Sequence, residues 1–277
     1  MAEWFESMKK TIITLTAIPP RFPYLAETLD SLLSQRADIT AVEVWLPRKY
    51  RRFDFDPVTD LPKVPEGVTI NIAAEDMGPA TKILPSVNRH RGQDVNLIFC
   101  DDDKVYDPGW AGRLLAESAA HPGCCIVEEG GDIHHNSTHD WHGPELPRAN
   151  RIHKDWKYRL RRTMSLGRWK PRKNQSSGYV DILEGCGGVL VRPEFFADGA
   201  FDIAPDLWMI DDIWLSGQLA LNNVPIWLTV EKDIRTKGSS NEVRHAALRF
   251  QTFARKGRTA LNQAGIDYFR DMHGIWK

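Results

Sequence analysis

The amino-acid sequence predicts an α/β fold with a mostly parallel central sheet and helices on both faces. Short apolar runs rich in β-branched residues, such as residues 11–16 and 95–99, recur along the chain. Most of them are followed by a segment whose apolar residues have the spacing of one face of a helix. Strands that alternate with helices in this way are typical of parallel sheets with crossover helices.

The first 120 residues contain most of this alternation. Pro79 stands where proline is favoured, in the first turn of a helix. The residues Tyr24, Leu25, Leu29 and Leu32 recur at helical spacing. The pattern predicts strands at 11–16, 41–46, 68–72 and 95–99, and helices at 23–35, 79–88 and 110–120.

The second half of the chain is less regular. A long basic segment, residues 129–178, interrupts the alternation and is expected to be an insertion. The pattern then predicts strands at 124–127, 180–183, 189–191 and 226–230, a helix that begins near Asp211 and ends near Leu221, and a helix at 243–254. Residues 231–277 are expected to form a C-terminal tail.

Length and composition indicate one globular domain. The 277 residues fit a single large α/β domain with an insertion, which we place at 1–277. The apolar fraction of 42% and the charged fraction of 26% are ordinary for such a domain. A net charge of −1 argues against a nucleic-acid partner.

The cysteines and the N-terminus bear on the cellular compartment. Cys100, Cys124, Cys125 and Cys186 form neither a C-x-x-C pair nor a disulfide framework, so reduced and mostly buried thiols are expected. Residues 1–6 lack the pattern of a secretory signal, and no run of 18 apolar residues occurs. These features predict a cytoplasmic location, and attachment to the inner face of a membrane is left open.

Three consecutive carboxylates, Asp101, Asp102 and Asp103, follow the predicted strand 95–99 directly. In open α/β sheets, ligands bind beyond the carboxyl ends of the strands, which is where this cluster is expected. Adjacent carboxylates repel one another, and a divalent cation such as Mg²⁺ or Mn²⁺ would compensate that repulsion. An acidic turn without a ligand is the alternative.

Two further motifs lie downstream. Residues 185–188 place three glycines in four positions, which permits close approach of the backbone to a ligand or a strained turn. Asp211 and Asp212 stand where a helix is predicted to begin. One acidic residue there is explained by the helix dipole, and a second is explained less well.

The insertion carries a concentrated positive charge. Residues 148–173 contain eleven Lys or Arg against a single Asp, interleaved with Trp156, Tyr158 and Trp169. This favours an anionic partner such as phosphate, an acidic glycan or a lipid headgroup, and allows peripheral membrane contact through 148–173. A solvated basic loop is the alternative. A metal site formed by histidines of the insertion is a further alternative. The spacing of these histidines matches no specific zinc pattern; they are His134, His135, His139 and His142.

Together these motifs resemble the GT-A glycosyltransferases of the family-2-like kind. The resemblance covers residues 11–230, in the order of that family. Its motifs are a Thr-Leu-Thr-Ala-Ile-Pro segment followed by Arg21, the turn 78–82, the Asp cluster as an Asp-x-Asp signature, the glycine segment 185–188 and the Asp211–Asp212 pair. The resemblance implies a Rossmann-like GT-A sheet and transfer of a sugar from a nucleotide-sugar donor to a glycan or glycolipid acceptor.

The resemblance also implies roles for individual residues. Asp103 ligates Mn²⁺ or Mg²⁺, Asp101 contacts the donor's ribose or the metal's water shell, and His245 is the candidate for a further metal ligand. Asp212 is the expected base of an inverting reaction, and Asp211 orients the acceptor or caps the helix. The donor is expected to contact Thr16, Ala17, Arg21, Lys82, Asp101, Asp102, Gly187 and Gly188. Asp102 has no distinct role within that group.

One departure from the family concerns the nucleotide. Many family-2 members have an acidic segment after the second strand that reads uracil and ribose. Here the corresponding residues 48–52 are basic, with the sequence Arg-Lys-Tyr-Arg-Arg. UDP is the expected nucleotide, and GDP, CMP and TDP remain open, as does a retaining mechanism.

Two other classes of function also account for the motifs. The carboxylates would suit a two-metal nucleotidyltransferase or phosphohydrolase, which releases pyrophosphate or phosphate instead of a nucleoside diphosphate. A carbohydrate- or polyanion-binding module on a degenerate transferase scaffold would use the aromatic residues Trp141, Trp156 and Trp169.

Overall fold

A computed structural model describes residues 9–133, 146–152, 156–166, 168–169, 174–230, 237–238 and 258–277. Short 3-10 helices lie at Pro19–Tyr24, Gly78–Lys82, Gly185–Gly187, Pro193–Phe195, Asp198–Phe201 and Pro205–Leu207. The α-helices are α1 (Ala26–Leu33), α2 (Leu84–Arg89), α3 (Trp110–Ala120), α4 (Trp156–Met164), α5 (Asp211–Leu221) and α6 (Arg258–His273). The strands are β1 (Lys10–Thr16), β2 (Ala41–Pro47), β3 (Val68–Ala73), β4 (Val95–Phe99), β5 (Lys104–Val105), β6 (Cys125–Val127), β7 (Gly130–Gly131), β8 (Gly178–Val180), β9 (Ile182–Leu183), β10 (Val189–Val191), β11 (Ile226–Leu228) and β12 (Lys237–Gly238).

The central sheet has eight strands in the order β3-β2-β1-β4-β10-β6-β11-β8. The strands β3, β2, β1 and β4 pair in parallel, and β6 and β11 also pair in parallel. Only β10 and β8 run against the others in this sheet. The predicted fold class, a mostly parallel α/β sheet, is therefore confirmed.

Both faces of the sheet are covered, as the apolar character of its strands predicts. Along β1, Ile12 belongs to one hydrophobic core and the adjacent Ile13 belongs to the other. Helices α1 and α3 pack on the Ile13 side, and α2, α5 and α6 pack on the Ile12 side. Because β1, β2, β3 and β4 run parallel to one another, the loops that follow them meet at one edge of the sheet.

Several predicted elements differ in their limits. The helix predicted at 23–35 is a 3-10 helix followed by α1, and the helix predicted at 79–88 is interrupted at Ile83. The strand predicted at 180–183 is split at Asp181, because β8 joins the central sheet whereas β9 pairs with β7. Asp181 is buried and accepts a hydrogen bond from the backbone N–H of Ile133 at 3.1 Å, which holds the break in place.

The C-terminal segment contributes to the core. Phe269 and Ile266 of α6 are fully buried, and α6 packs against α5. The sequence pattern predicted a tail for residues 231–277 and gave no indication of α6. The helix predicted at 243–254 lies outside the described residues. Among the described residues, no helix is long and apolar enough to cross a membrane.

Gly217 tests the packing between α5 and α6. A Cβ atom at Gly217 would lie 2.3 Å from the ring of Phe269, so Gly217→Ala forces the two helices apart. We expect the substitution to lower the free energy of unfolding by about 1–3 kcal/mol in urea denaturation of the full chain.

Gly112 of α3 provides the matched control. A Cβ atom there meets no atom within 4 Å, so Gly112→Ala should gain helix propensity and leave stability unchanged or raised by up to about 1 kcal/mol. Equal effects of the two substitutions would contradict the close packing of α6 on α5.

Candidate active site

A pocket of about 600 Å³ opens at the edge where the parallel strands end. The loops after β1, β2, β3 and β4, the glycine segment, the start of α5 and the start of α6 all contribute to it. Its lining includes Thr16, Ala17, Ile18, Arg21, Pro47, Tyr50, Arg52, Phe53, Asp76, Gly78, Pro79, Lys82, Cys100, Asp101, Asp102, Asp103, Lys104, Arg151, Ile182, Glu184, Cys186, Trp208, Met209, Asp211, Asp212, Ile213, Thr259 and Asn262.

Lys82 connects the two acidic motifs of the pocket. Its Nζ lies 2.9 Å from Asp101 Oδ1 and 2.9 Å from Asp211 Oδ2, and its side chain is buried. Burial alone would lower the pKa of Lys82, but the charges of Asp101, Asp211 and Asp212 raise that pKa well above its usual value. The ammonium group therefore remains charged.

The pKa of Asp101 reflects its ion pair with Lys82. Burial would raise the pKa of Asp101, but the charge of Lys82 and its hydrogen bond lower that pKa. The ionised carboxylate is held at the end of β4, where its backbone N–H donates to the hydroxyl of Tyr106 at 3.2 Å.

Glycine at position 185 makes the Lys82 arrangement possible. A Cβ atom at Gly185 would lie 2.6 Å from Lys82 Nζ, so a larger residue would displace the ammonium group. The backbone N–H of Gly185 also donates to Asp212 Oδ1 at 3.0 Å. The first residue of the glycine segment thus contacts both Lys82 and the α5 carboxylate.

Arg21 binds the other two carboxylates of the cluster. Its guanidinium donates to Asp102 Oδ1, and its Nη2 lies 3.0 Å from Asp103 Oδ2. The backbone carbonyl of Asp102 accepts a hydrogen bond from Thr28 of α1 at 3.0 Å. Burial raises the pKa of Asp102 to about 7, and the neighbouring Asp101 and Asp103 charges act in the same direction. Asp102 is thus buried and held in place by Arg21 and Thr28. The sequence predicted no distinct role for this residue.

Asp211 and Asp212 occupy the first turn of α5, as predicted. Asp211 is buried and is paired with Lys82. Asp212 is half-buried and accepts the Gly185 N–H. The positive end of the helix dipole favours negative charge at both positions.

Thr16, the last residue of β1, and Ala17, which follows it, line the pocket. The hydroxyl of Thr16 donates to the carbonyl of Trp45 at 2.7 Å, and the carbonyl of Ala17 accepts from the hydroxyl of Tyr50 at 2.6 Å. Burial raises the pKa of Tyr50, so its hydroxyl stays protonated. The first bond joins β1 to β2, and the second holds the loops after these strands against each other.

Gly187 and Gly188 lie beside the pocket and are not part of its lining. The carbonyl of Gly187 accepts from Trp110 Nε1 at 2.9 Å. Gly188 has φ +92°, and a Cβ atom there would lie 2.2 Å from the Trp110 ring. In this structure both glycines serve the packing of Trp110, and their expected contact with the donor stays a prediction.

The proposed histidine ligands lie outside the described residues. This applies to His245 and to the alternative set His134, His135, His139 and His142. Within the described part of the chain, no group of three or more His, Cys, Asp or Glu side chains is arranged as a metal site by itself.

Some pocket residues were missed by the sequence analysis. Asp76 follows β3 at the same edge as the Asp cluster, and its two oxygens accept the backbone N–H groups of Arg51 (2.7 Å) and Gly78 (2.9 Å). Its position shortly after a predicted strand could have identified Asp76 as a pocket residue from the sequence. Thr259 and Asn262 come from α6 and had no such signal, because their place depends on how α6 docks.

Trp208 closes the pocket above the turn at Gly78. Its Nε1 donates to the carbonyl of Asp76 at 2.9 Å, and the guanidinium of Arg51 lies over its ring at 5.1 Å. Gly78 has φ +61°, and a Cβ atom there would lie 2.4 Å from the Trp208 carbonyl oxygen. The basic segment after β2 therefore helps to build the wall of the pocket.

The lining carries more negative than positive charge. It contains seven carboxylates, namely Asp76, Asp101, Asp102, Asp103, Glu184, Asp211 and Asp212. The cationic residues of the lining are Arg21, Arg52, Lys82, Lys104 and Arg151. A surplus of carboxylates by itself repels an anionic ligand and attracts a cation.

The four cysteines are free thiols. Cys100, Cys124 and Cys125 are buried and Cys186 is half-buried, which confirms the expectation of reduced, mostly buried thiols. Burial raises the pKa of Cys100 and Cys186, the two that line the pocket. Neither is therefore a thiolate nucleophile at neutral pH.

Comparisons with known proteins reveal similarity of fold. No family model and no curated protein matches the chain. Solved structures of two glycosyltransferases are similar to it: S. aureus TarS 1–349 (14% identity, TM-score 0.43) and GalNAc-T7 with UDP, GalNAc and Mn²⁺ (12% identity, TM-score 0.48). The matches cover 83% and 81% of this chain, but only 59% of the TarS chain and 43% of the GalNAc-T7 chain. TarS in complex with UDP matches equally, with 14% identity and a TM-score of 0.43.

Replacing Lys82 tests its bridging role. Lys82→Met removes the cation and leaves buried Asp211 and half-buried Asp101 without the partner they share, so we expect the free energy of unfolding to fall by about 3–5 kcal/mol. Chemical denaturation measures the change. Lys49→Met, at an exposed position after β2, is the matched control and should stay within about 0.5 kcal/mol of wild type.

A second substitution separates charge from packing. Adding Asp211→Asn to Lys82→Met removes one of the unpaired charges and should recover part of the lost stability. No recovery would mean that Lys82 stabilises the protein through packing alone.

Proposed function

We propose that the protein is a metal-dependent glycosyltransferase that moves a sugar from a nucleotide-sugar donor to a glycan or glycolipid acceptor. One observation supports this most directly: the Asp101–Asp103 cluster and the Asp211–Asp212 pair face the same pocket and are joined by Lys82. A transferase needs a site for a leaving diphosphate next to a base for the acceptor. The two acidic motifs supply these two parts.

The donor half of the pocket is the Asp cluster. A diphosphate is an anion, and the pocket already carries a surplus of carboxylates. A bound Mn²⁺ or Mg²⁺ would offset this surplus and would supply positive charge beside the departing diphosphate. The oxygen ligands present fit such a cation, because it is usually held by one or two carboxylates together with substrate phosphates. Asp103 and Asp101 are the residues that would hold it.

The nucleoside is expected to bind between the loops after β2 and β3. Phe53 and Tyr50 are in edge-to-face contact at 6.1 Å, and the guanidinium of Arg52 lies 5.6 Å from the Phe53 ring. Together with Asp76, these residues offer an aromatic wall and polar groups to a base and ribose. We propose UDP as the nucleotide.

Asp212 is the proposed catalytic base. Asp211 is a poor candidate because it is buried and its Oδ2 already lies 2.9 Å from Lys82 Nζ. Asp212 lines the pocket and is aligned by the Gly185 N–H. It would accept the proton of the acceptor hydroxyl as the oxygen attacks the anomeric carbon. The bond from that carbon to the diphosphate breaks at the same time, which inverts the configuration.

Nucleotide binding is the first test. UDP should raise the melting temperature only when Mn²⁺ or Mg²⁺ is present, because a ligand of the native state stabilises it by about 2.7 kcal/mol at one hundred times its Kd. Asp103→Ala should abolish this shift. Asp198→Asn, at an exposed position away from the pocket lining, should retain it.

A metal-independent shift, or a shift that persists in Asp103→Ala, would contradict the assignment of the Asp cluster as the metal and diphosphate site. No shift with any of UDP, GDP, CMP or TDP would overturn nucleotide binding altogether.

Catalysis is tested at Asp212. Asp212→Asn should keep the metal-dependent thermal shift and reduce turnover by about 10²–10⁴-fold, which is the usual contribution of a general base. Hydrolysis of UDP-sugars, with water in place of the acceptor, measures turnover through release of UDP. An unchanged rate would refute Asp212 as the base and leave nucleotide binding intact, and release of pyrophosphate or phosphate would point to the nucleotidyltransferase or phosphohydrolase class.

A further inference from the structure

Helix α4 exposes a stripe of large apolar side chains. Trp156, Leu160 and Met164 are 68%, 51% and 77% exposed. They are spaced four residues apart, so they lie above one another on one face of the helix. Leu166, just beyond the helix, is 87% exposed and extends the apolar surface. We call these four residues the α4 stripe.

The stripe is the densest exposed apolar surface in the described part of the chain. Ten large apolar residues are exposed in that part of the chain, and four of them lie within residues 156–166. The remaining six are spread over the rest of the sequence, at Tyr24, Leu33, Val58, Leu61, Leu146 and Met272. Such a concentration marks an interaction surface, whereas scattered exposed residues need no explanation.

The other face of α4 contacts Trp169, which follows the helix in the chain. The ring of Tyr158 lies 5.3 Å from that of Trp169, and Tyr158 is half-buried. The guanidinium of Arg162 donates to the hydroxyl of Tyr158 at 3.3 Å on the same side. Because successive helical residues are rotated by about 100°, this face is roughly opposite the stripe. The guanidinium of Arg161 also lies 5.9 Å from the Trp169 ring, so these side-chain contacts of α4 lie beside or opposite the stripe.

Positive charge borders the stripe. Arg159 and Arg161 are exposed and lie about 100° to either side of the centre of the stripe on the helix. Residues 156–169 contain no Asp or Glu. An apolar face bordered by arginines, on a helix of low overall hydrophobicity, is the pattern of helices that lie in the plane of a membrane interface.

We propose that the α4 stripe binds the surface of an anionic phospholipid membrane. The apolar side chains would enter the boundary between headgroups and acyl chains, while Arg159 and Arg161 contact anionic headgroups. This charge complementarity distinguishes a membrane from a neutral glycan or an apolar protein groove. The proposal concerns binding only and stands or falls independently of sugar transfer.

The position of the stripe gives this binding a consequence for the pocket. Arg151 lines the pocket and lies five residues before Trp156, so their Cα atoms are at most about 18 Å apart. A membrane on the stripe would bring the edge of the pocket near the bilayer surface. If sugar transfer is confirmed, an acceptor carried by a membrane lipid is then the class that this geometry favours.

Vesicle co-sedimentation of the full chain tests the proposal. The probes are vesicles of phosphatidylcholine alone and vesicles in which about one third of the lipid is phosphatidylglycerol. Wild type should bind the anionic vesicles at least about tenfold more tightly than the neutral ones, since each arginine near such a surface adds to binding. Binding should weaken strongly at about 1 M NaCl, where the Debye length is about 3 Å.

Three variants separate the contributions. Leu160→Gln/Met164→Gln should reduce binding to anionic vesicles about tenfold or more, because two apolar side chains are lost from the interface. Arg159→Gln/Arg161→Gln should reduce it about tenfold and abolish the preference for anionic lipid. Val58→Gln/Met272→Gln removes two exposed apolar residues elsewhere and should bind like wild type.

Several results would overturn the proposal. These are equal binding of neutral and anionic vesicles by wild type, unchanged binding by the Leu160/Met164 variant, or an equal loss in the Val58/Met272 control. Self-association of the chain that the Leu160/Met164 variant abolishes, seen by sedimentation velocity without vesicle binding, would assign the stripe to a second copy of the protein instead. Circular dichroism of each variant confirms that a loss of binding is not a loss of fold.

Discussion

The buried ammonium group of Lys82 holds the pocket together. It lies 2.9 Å from a carboxylate at the end of β4 and 2.9 Å from another at the start of α5, so one cation neutralises charge from both halves of the chain. Without it, buried Asp211 and half-buried Asp101 would lose the cation that they share. Gly185 is part of the same constraint, because any side chain at that position would occupy the space of the ammonium group.

Arg21 neutralises charge in the same way at the next two residues of the cluster. It binds Asp102 and Asp103, while Thr28 holds the backbone of Asp102 against α1. Arg21 and Lys82 thus bind the Asp cluster from two directions. This leaves Asp101 and Asp103 at the pocket as the proposed cation ligands, and Asp102 as the buried residue that fixes their position. The proposed division of labour between the donor and acceptor sides follows from this arrangement.

Local sequence patterns predicted the elements that carry these residues. The strand at 95–99 and the helix at 110–120 agree with β4 and α3, since a run of apolar residues and a helical repeat both end at clear boundaries. The Asp cluster was recognised because three adjacent carboxylates repel one another. The Asp211–Asp212 pair was recognised because the helix dipole explains one acidic residue at a helix start better than two. The strand predicted at 180–183 was wrong in one respect, since the buried Asp181 splits it between two sheets.

The sequence by itself determined the class of fold, the Asp101–Asp103 cluster and the Asp211–Asp212 pair, because apolar periodicity and runs of charge are local properties. Only the tertiary structure decided that Lys82 bridges the two motifs, that Gly187 and Gly188 pack on Trp110, and that α6 contributes Thr259 and Asn262 to the pocket. These features join residues far apart in the chain, and no local pattern encodes which surfaces meet. The position of each charge relative to its partner is set by the packing of the sheet and its helices.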